Sequence, residues 1–239
     1  MNEREKIIHP IMEDIFGHTG GNKMISDSKY FRRYSLGEEV GNAVSHGIGA
    51  VLSFAALCLM VNASAIQRNG MKLTASLIYG STLLLLYLMS TLYHAVTVPS
   101  IKRVLQVLDH CSIFLLIAGT YTPFTMLCLP GKRGWLLFAF IWVTALIGIV
   151  LNAISIEKFQ RFSMACYLLM GWAVVTSIVP LTQALSLQGL SLLVSGGIFY
   201  TAGTFFYSRK IPYFHFIWHL FVLAGSICHF LAVYFYVIL

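Results

Sequence analysis

Charge is scarce in this sequence. Only 10% of the 239 residues are charged, whereas 58% are hydrophobic, a balance that a water-soluble domain could not hide in its core. Acidic residues are fewer than basic ones, with 9 aspartates and glutamates against 16 lysines and arginines. The composition therefore excludes a soluble globular protein and indicates an integral membrane protein.

Cysteine pairs and a secretory leader are also missing. The 5 cysteines are odd in number and contain no CxxC pair, which excludes a disulfide framework and a cysteine-rich zinc site. Residues 1–38 are polar and charged and lack the apolar core and cleavage site of a signal peptide. We expect them to be retained as a cytoplasmic N-terminal segment, partly disordered or interfacial, ahead of a membrane domain over residues 39–239.

Long apolar stretches are what the sequence does contain. They cover residues 40–66, 73–98, 104–129, 135–156, 162–181, 187–208 and 214–239. Each is near the ~20 residues that a helix needs to span ~30 Å of hydrocarbon. None shows the period-two alternation of a membrane β-barrel strand. The predicted fold is all-α, an integral membrane bundle of seven transmembrane helices.

The basic residues give an orientation. Of the 16 lysines and arginines, twelve fall on the side of the N-terminal segment and four on the other side. Because cationic loops stay in the cytoplasm, we expect a multi-pass protein of the cell (inner or plasma) membrane with its N-terminus cytoplasmic and its C-terminus outside. The net charge of +7 is then explained by topology and by attraction to anionic headgroups, so no nucleic-acid partner is expected.

Mid-membrane lysine is absent from the predicted spans. All lysines fall in the N-terminal segment, in loops or at helix ends, whereas a retinal protein needs a lysine deep in the bundle to form its Schiff base. A retinal protein is therefore excluded. A G-protein-coupled receptor is not supported either, because the predicted N-terminus lies inside.

Ionisable residues nevertheless occur within the spans. They are Glu39, Asp109, His46, His94, His110, His215, His219 and His229. Such groups are costly at membrane depth and usually face a partner or a cavity. Apart from His229, all lie near the predicted cytoplasmic ends of the first, second, third and seventh helices. We therefore expect these four helices to form one polar site.

The spacing of the histidines indicates a metal site. His215 and His219 are four residues apart, so they differ by ~40° in direction and ~6 Å along the helix axis. With His94 and a water they would form the open tetrahedral site of catalytic zinc, Zn²⁺, and Asp109 would hold or deprotonate that water. His229 lies ten residues beyond His219, ~15 Å along the axis, and is expected to make an interhelical hydrogen bond instead.

Other polar side chains share the faces of these residues. Ser90 lies four residues before His94, and Glu39, Asn42 and His46 fall within ~60° of one another on the first helix. We expect both faces to point into the bundle. A single intramembrane histidine is more often a hydrogen-bonding residue than a ligand, and this interpretation is favoured for His46, His110 and His229. Three histidines and a water also suit several metals other than zinc.

Four segments, in order, carry a family resemblance: "EEVGNAVSHGIGA", "STLYHAV", "VLDHCSIFLLIAGTYTPF" and "PYFHFIWHLFVLAGSICHF". Together they resemble the hemolysin III family, the bacterial branch of the progestin and adipoQ receptor (PAQR) superfamily, which includes the adiponectin receptors. The resemblance runs from about residue 35 to residue 239. It implies a seven-helix bundle with a cytoplasmic N-terminus and a zinc ion near the cytoplasmic leaflet.

The resemblance also assigns roles to matched positions. The family's metal-binding histidines fall on His94, His215 and His219, its aspartate on Asp109 and its motif serine on Ser90. Related alkaline ceramidases and eukaryotic receptors look like membrane-embedded zinc amidases. The bacterial branch has been linked to haemolysis and to membrane lipid homeostasis.

Four functions are considered. The leading hypothesis is a zinc-dependent hydrolase of a lipid amide or ester, which holds the acyl chain of a membrane lipid in a cavity of the bundle. The second is a non-enzymatic sensor or receptor with structural zinc, which would need a fourth protein ligand such as His46. A transport or pore role ranks third, since no inverted repeat is evident. A cytolysis-associated protein is a further alternative, although no amphipathic, deployable segment of a secreted toxin is present.

Overall fold

The computed structural model describes residues 34–129 and 131–239. Within them, seven helices are long and apolar enough to cross a membrane. They are α1 (Leu36–Ile66), α2 (Gly70–Ala95), α3 (Pro99–Cys128), α4 (Gly131–Ile154), α5 (Ile156–Ala184), α6 (Leu187–Ser208) and α7 (Phe214–Ile238). The described residues contain no β-strand. The predicted all-α membrane bundle is thus confirmed, and most of the predicted segment 1–38 lies outside the described residues.

Short polar residues set the starts of several helices. Asn69, Ser155 and Ser186 are N-caps whose side chains accept backbone N–H groups of the first turns of α2, α5 and α6, which satisfies donors that have no partner within the helix. The third helix begins at Pro99, a residue whose fixed φ suits the first helical position. These local signals allow tight connections between antiparallel neighbours.

Three of the described helices change their winding, and the seventh does so at its end, where Tyr234–Ile238 is π-helical. The third is α-helical as far as Pro123 and continues as a π-helical turn over Phe124–Cys128. Proline removes one backbone N–H donor, which disturbs the regular i→i−4 ladder. The fifth passes through a 3₁₀ turn at Ala173–Ser177.

The seven helices pack as a closed ring. Neighbours in the chain contact each other, and α7 returns to pack on α1. Bulky side chains such as Val51 and Leu146 are exposed on the outside, which suits a surface that faces lipid. Tyr87 and Phe114 are fully buried in the interior, where Gly49 and Gly148 leave room for their rings. The ring places the inner faces of α1, α2, α3 and α7 around one interior space.

Glu38 ties the start of α1 to the start of α7. Glu38 was predicted to belong to the N-terminal segment, but it lies in the first turn of α1 and is buried. Its Oε1 accepts the backbone N–H of Tyr213 at 2.6 Å. Tyr213 precedes α7 with a positive φ of 62°, a conformation that non-glycine residues rarely adopt. The carboxylate therefore holds the first turn of the helix that carries His215 and His219.

Candidate metal centre

Three histidines meet at one end of the bundle. His94 comes from the last turn of α2, and His215 and His219 come from the first two turns of α7. All three are buried, and one ligand nitrogen from each lies within 4.8 Å of the other two. The structure thus brings together the three ligands that sequence spacing predicted.

The spacing of the α7 pair suits a shared metal ion. The Nε2 atoms of His215 and His219 are 3.2 Å apart. Two nitrogens bound to one tetrahedral zinc at ~2.0–2.1 Å would be separated by ~3.3 Å. Neutral imidazole nitrogens are suitable ligands for zinc and for neighbouring first-row metals. The residues present therefore fit a divalent metal ion.

A carboxylate orients His94. Its Nδ1 donates to Oε2 of Glu39 at 2.6 Å, and because a carboxylate can only accept, Nδ1 carries the proton. The lone pair on His94 is therefore on Nε2, the atom available to a metal. Carboxylate–histidine pairs of this kind fix the ring and raise its basicity in metal sites.

Lys102 in turn holds Glu39. Its ammonium lies 3.0 Å from Glu39 Oε1 and also donates to the backbone carbonyls of Tyr93 and Val96 at 2.9 and 3.2 Å. These carbonyls end α2, where a cation is favourable because the last four carbonyls have no helical partner. One side chain at the start of α3 thus links the carboxylate of α1 to the end of α2 that carries His94.

The backbone of α1 orients His219. The Nδ1 of His219 lies 3.3 Å from the carbonyl oxygen of Asn42 and 3.5 Å from Ser45 Oγ. Since the carbonyl can only accept, Nδ1 is the protonated nitrogen and the Nε2 lone pair is directed towards His215. His46 stacks on the other side, with ring centroids 3.6 Å apart and planes at 15°. The three predicted polar residues of α1 therefore surround the candidate ligands, and each contacts at least one of them.

Asp109 and Ser90 line the cavity next to the histidines. The ion contact of Asp109 is with His110, whose Nδ1 lies 3.9 Å from Oδ2. His110 is itself fixed, because its Nδ1 donates to the Gln106 carbonyl at 2.8 Å. Among residues 34–129 and 131–239, the candidate ligand group contains only the three histidines. Neither Asp109 nor Glu39 belongs to this group.

The cavity extends from this centre into the bundle. It has a volume of about 130 Å³. His46, His215 and His219 line it beside the metal centre, and His229 lines it ~15 Å further along α7. The walls between these two positions are mainly apolar and include Leu86, Ile113, Leu116 and Val222. This shape suits a hydrocarbon chain with a polar group at the histidine end.

His229 makes the interhelical contact expected of it. Its Nε2 donates to the Leu193 carbonyl of α6 at 3.0 Å. Gly196, also on α6, lies directly against the imidazole, where a Cβ atom would collide with Cδ2 and Nε2. The predicted hydrogen bond between helices is confirmed.

Besides Glu38, sequence reasoning missed two residues that support the site. Lys102 entered only as a charge that sets orientation, and Ser45 was not considered. Lys102 lies three residues after Pro99 at the start of α3, so a short α2–α3 connection could have indicated its contact with the end of α2. Ser45 offered no signal, because a serine in an apolar helix commonly donates to a backbone carbonyl of the preceding turn, as Ser45 does to that of Asn42.

Fold and site together define a class: a polytopic membrane protein whose seven-helix bundle encloses a three-histidine group able to hold a metal ion. Residues 34–230 match the family model described as "Haemolysin-III related". The chain therefore belongs to the haemolysin-III-related family.

Individual relatives agree with this assignment. The chain is 44% identical over 202 residues to "Hemolysin-3" of Bacillus cereus, an alignment covering 84% of this chain and 92% of the relative. It is 43% identical over 204 residues to "Hemolysin-3 homolog" of Bacillus subtilis (strain 168), covering 85% and 96%. A human protein, "Monocyte to macrophage differentiation factor", is 30% identical over 168 residues, covering 66% and 68%. No solved structure matches the chain significantly.

Proposed function

We propose that the protein is a zinc-dependent hydrolase of a lipid amide or ester, active in membrane lipid homeostasis. One observation carries the proposal: a buried group of three histidines adjoins an apolar cavity that Asp109 and Ser90 also line. Three protein ligands are typical of catalytic zinc, which keeps a position open for water or substrate, whereas structural zinc normally has four.

The protein's own residues supply positioning and proton transfer. His94, His215 and His219 would hold the zinc, which when bound supplies Lewis acidity that polarises a carbonyl group and makes water more acidic. Asp109 is assigned the role of general base, accepting a proton as water oxygen bonds to the carbonyl carbon. The same carboxyl would return the proton to the leaving nitrogen or oxygen as its bond to that carbon breaks. Ser90 is assigned to orient the oxyanion or the aspartate.

The cavity defines the substrate class. Apolar side chains enclose its length and polar side chains cluster at its histidine end, which suits an acyl chain whose carbonyl faces the histidines. The substrate would come from the membrane that surrounds the bundle. Since the basic loops favour the N-terminal side as cytoplasmic, we place the reaction near the cytoplasmic leaflet.

The alternative, a sensor or receptor with structural zinc, has less support. It calls for a fourth protein ligand, and His46 was the candidate. The ring of His46 stacks face to face on His219, and His46 is outside the ligand group found among the described residues. A parallel stack is a packing contact, so we favour the open, three-ligand arrangement.

The test combines metal content with turnover. Detergent-purified wild type should contain about one zinc per chain by plasma mass spectrometry, and His215→Ala/His219→Ala should contain none. Fatty acid released from long-chain lipid amides and esters should be detectable with the wild type. Asp109→Asn should keep its zinc but lose at least a hundredfold in rate, the usual contribution of a general base. Full activity in Asp109→Asn would remove the assigned base.

A further inference from the structure

A second polar group lines the cavity away from the three histidines. It consists of His229 and Tyr200, whose ring centroids are 5.4 Å apart. His229 lies ten residues after His219 on α7, which corresponds to ~15 Å along the helix axis. An extended ligand anchored at the metal centre would therefore pass this group with the middle of its chain.

One edge of the His229 ring is fixed by α6. Nε2 donates to the Leu193 carbonyl at 3.0 Å, and the Nε2–Cδ2 edge packs against Gly196, where no Cβ intervenes. Because a carbonyl can only accept, the proton is on Nε2 and the neutral ring presents Nδ1 as an acceptor. The contact with α6 thus sets both the position and the tautomer of the ring.

The other edge has an unused acceptor. His229 is only 9% exposed, and its Nδ1 has no hydrogen-bond partner among residues 34–129 and 131–239. Neighbouring hydroxyls are engaged elsewhere: Tyr87 donates to Ser226 Oγ at 2.8 Å, and Tyr200 is 2.7 Å from the same oxygen. Buried polar atoms in folded proteins almost always find a partner, so an unpaired one next to a cavity calls for an explanation.

We propose that His229 is a specificity residue that accepts a hydrogen bond from a hydroxyl group carried in the middle of the ligand's acyl chain. The inference rests on the proposed function for the idea that an acyl chain occupies the cavity, and it narrows the substrate class to hydroxylated chains. A plain hydrocarbon chain would leave Nδ1 unpaired. A hydroxylated chain would satisfy both its own hydroxyl and the imidazole, which otherwise lie in apolar surroundings.

The test measures binding and needs no turnover. Stearic acid and a hydroxystearic acid with its hydroxyl near mid-chain are titrated into detergent-purified, metal-loaded protein, with tryptophan fluorescence as the readout, because Trp172 and Trp218 line the cavity. Wild type should bind the hydroxylated acid about tenfold more tightly, the effect of one hydrogen bond to a buried acceptor. His229→Phe should bind stearic acid as wild type does and lose or reverse the preference.

A conservative variant separates recognition from folding. In His229→Gln the amide nitrogen can still donate to Leu193 and the amide oxygen can still accept, so the preference should survive. Both variants should keep one metal ion per chain, since His229 is distant from the three histidines. Equal affinity of wild type for the two acids would overturn the inference and indicate that a buried water satisfies Nδ1. A preference that persists in His229→Phe would also overturn it, because another residue must then bind the hydroxyl. Neither outcome bears on lipid hydrolysis, which the assay of released fatty acid tests separately.

Discussion

Replacing Glu39 should weaken metal binding without touching a ligand. The carboxylate of Glu39 accepts from His94 Nδ1 at 2.6 Å, a short, charge-assisted hydrogen bond of the stronger kind. The His94 side chain is fully buried, with 0% exposed, and that of Glu39 is 18% exposed, so solvent screens the pair little. Asn42 Nδ2 lies 3.4 Å from the same nitrogen. Even if this amide flipped, it would offer His94 only a neutral oxygen in place of the carboxylate.

The expected magnitude depends on what replaces the carboxylate. Loss of a carboxylate that orients a metal-binding histidine typically costs 10- to 100-fold in metal affinity, or about 1.4–2.7 kcal/mol. Glu39→Gln keeps a neutral acceptor and should fall near the tenfold end. Glu39→Ala leaves the buried N–H without its acceptor and should fall near the hundredfold end.

Chelator competition measures this effect directly. Zinc-loaded protein in detergent is equilibrated with increasing chelator, separated by gel filtration and analysed for residual metal. Glu157→Gln is the matched control, because that carboxylate is exposed and accepts a hydrogen bond from Ser155 near the start of α5. Affinities of Glu39→Gln and Glu39→Ala within twofold of wild type, while His94→Ala loses the metal, would refute the proposed role of the carboxylate.

Two further variants test the surroundings of the centre. Lys102→Met should lower metal affinity only about two- to fivefold in the same competition assay, because it removes a partly exposed ion pair but leaves the hydrogen bond between Glu39 and His94. An effect as large as that of Glu39→Ala would show that Lys102 holds the end of α2 in place. His46→Phe keeps an aromatic ring against His219 but removes the ring nitrogens that could bind a metal. The variant should retain one metal ion per chain by plasma mass spectrometry, and loss of the metal would support the structural alternative with four ligands.

The membrane spans could be predicted because length and hydropathy are local properties of the sequence. Their ends were less accurate where polar residues begin a helix. The third span was predicted from residue 104, but α3 starts at Pro99, since Lys102 and Arg103 lower the local hydropathy without interrupting the helix. Lys102 is in fact placed by its contacts with α2 and Glu39.

The candidate site could be predicted only as far as spacing on single helices allows. His215 and His219 share a face at four-residue separation, so their pairing follows from helix geometry. The orientations of the His94 and His219 rings do not, because they depend on Glu39 and Asn42 of α1, which are far away in the chain. The contact between Glu38 and the backbone of Tyr213 joins residues 175 positions apart and has no sequence signature.

The order of the helices has a consequence for biogenesis. Two of the three clustered histidines are on α7, the last of the seven helices to be synthesised, while the groups that orient them are on α1, the first. The ring of helices must therefore stay open at this seam until α7 enters the membrane and packs on α1. Metal capture by the nascent chain can follow only that step, so a bound ion would mark a bundle whose first and last helices have met.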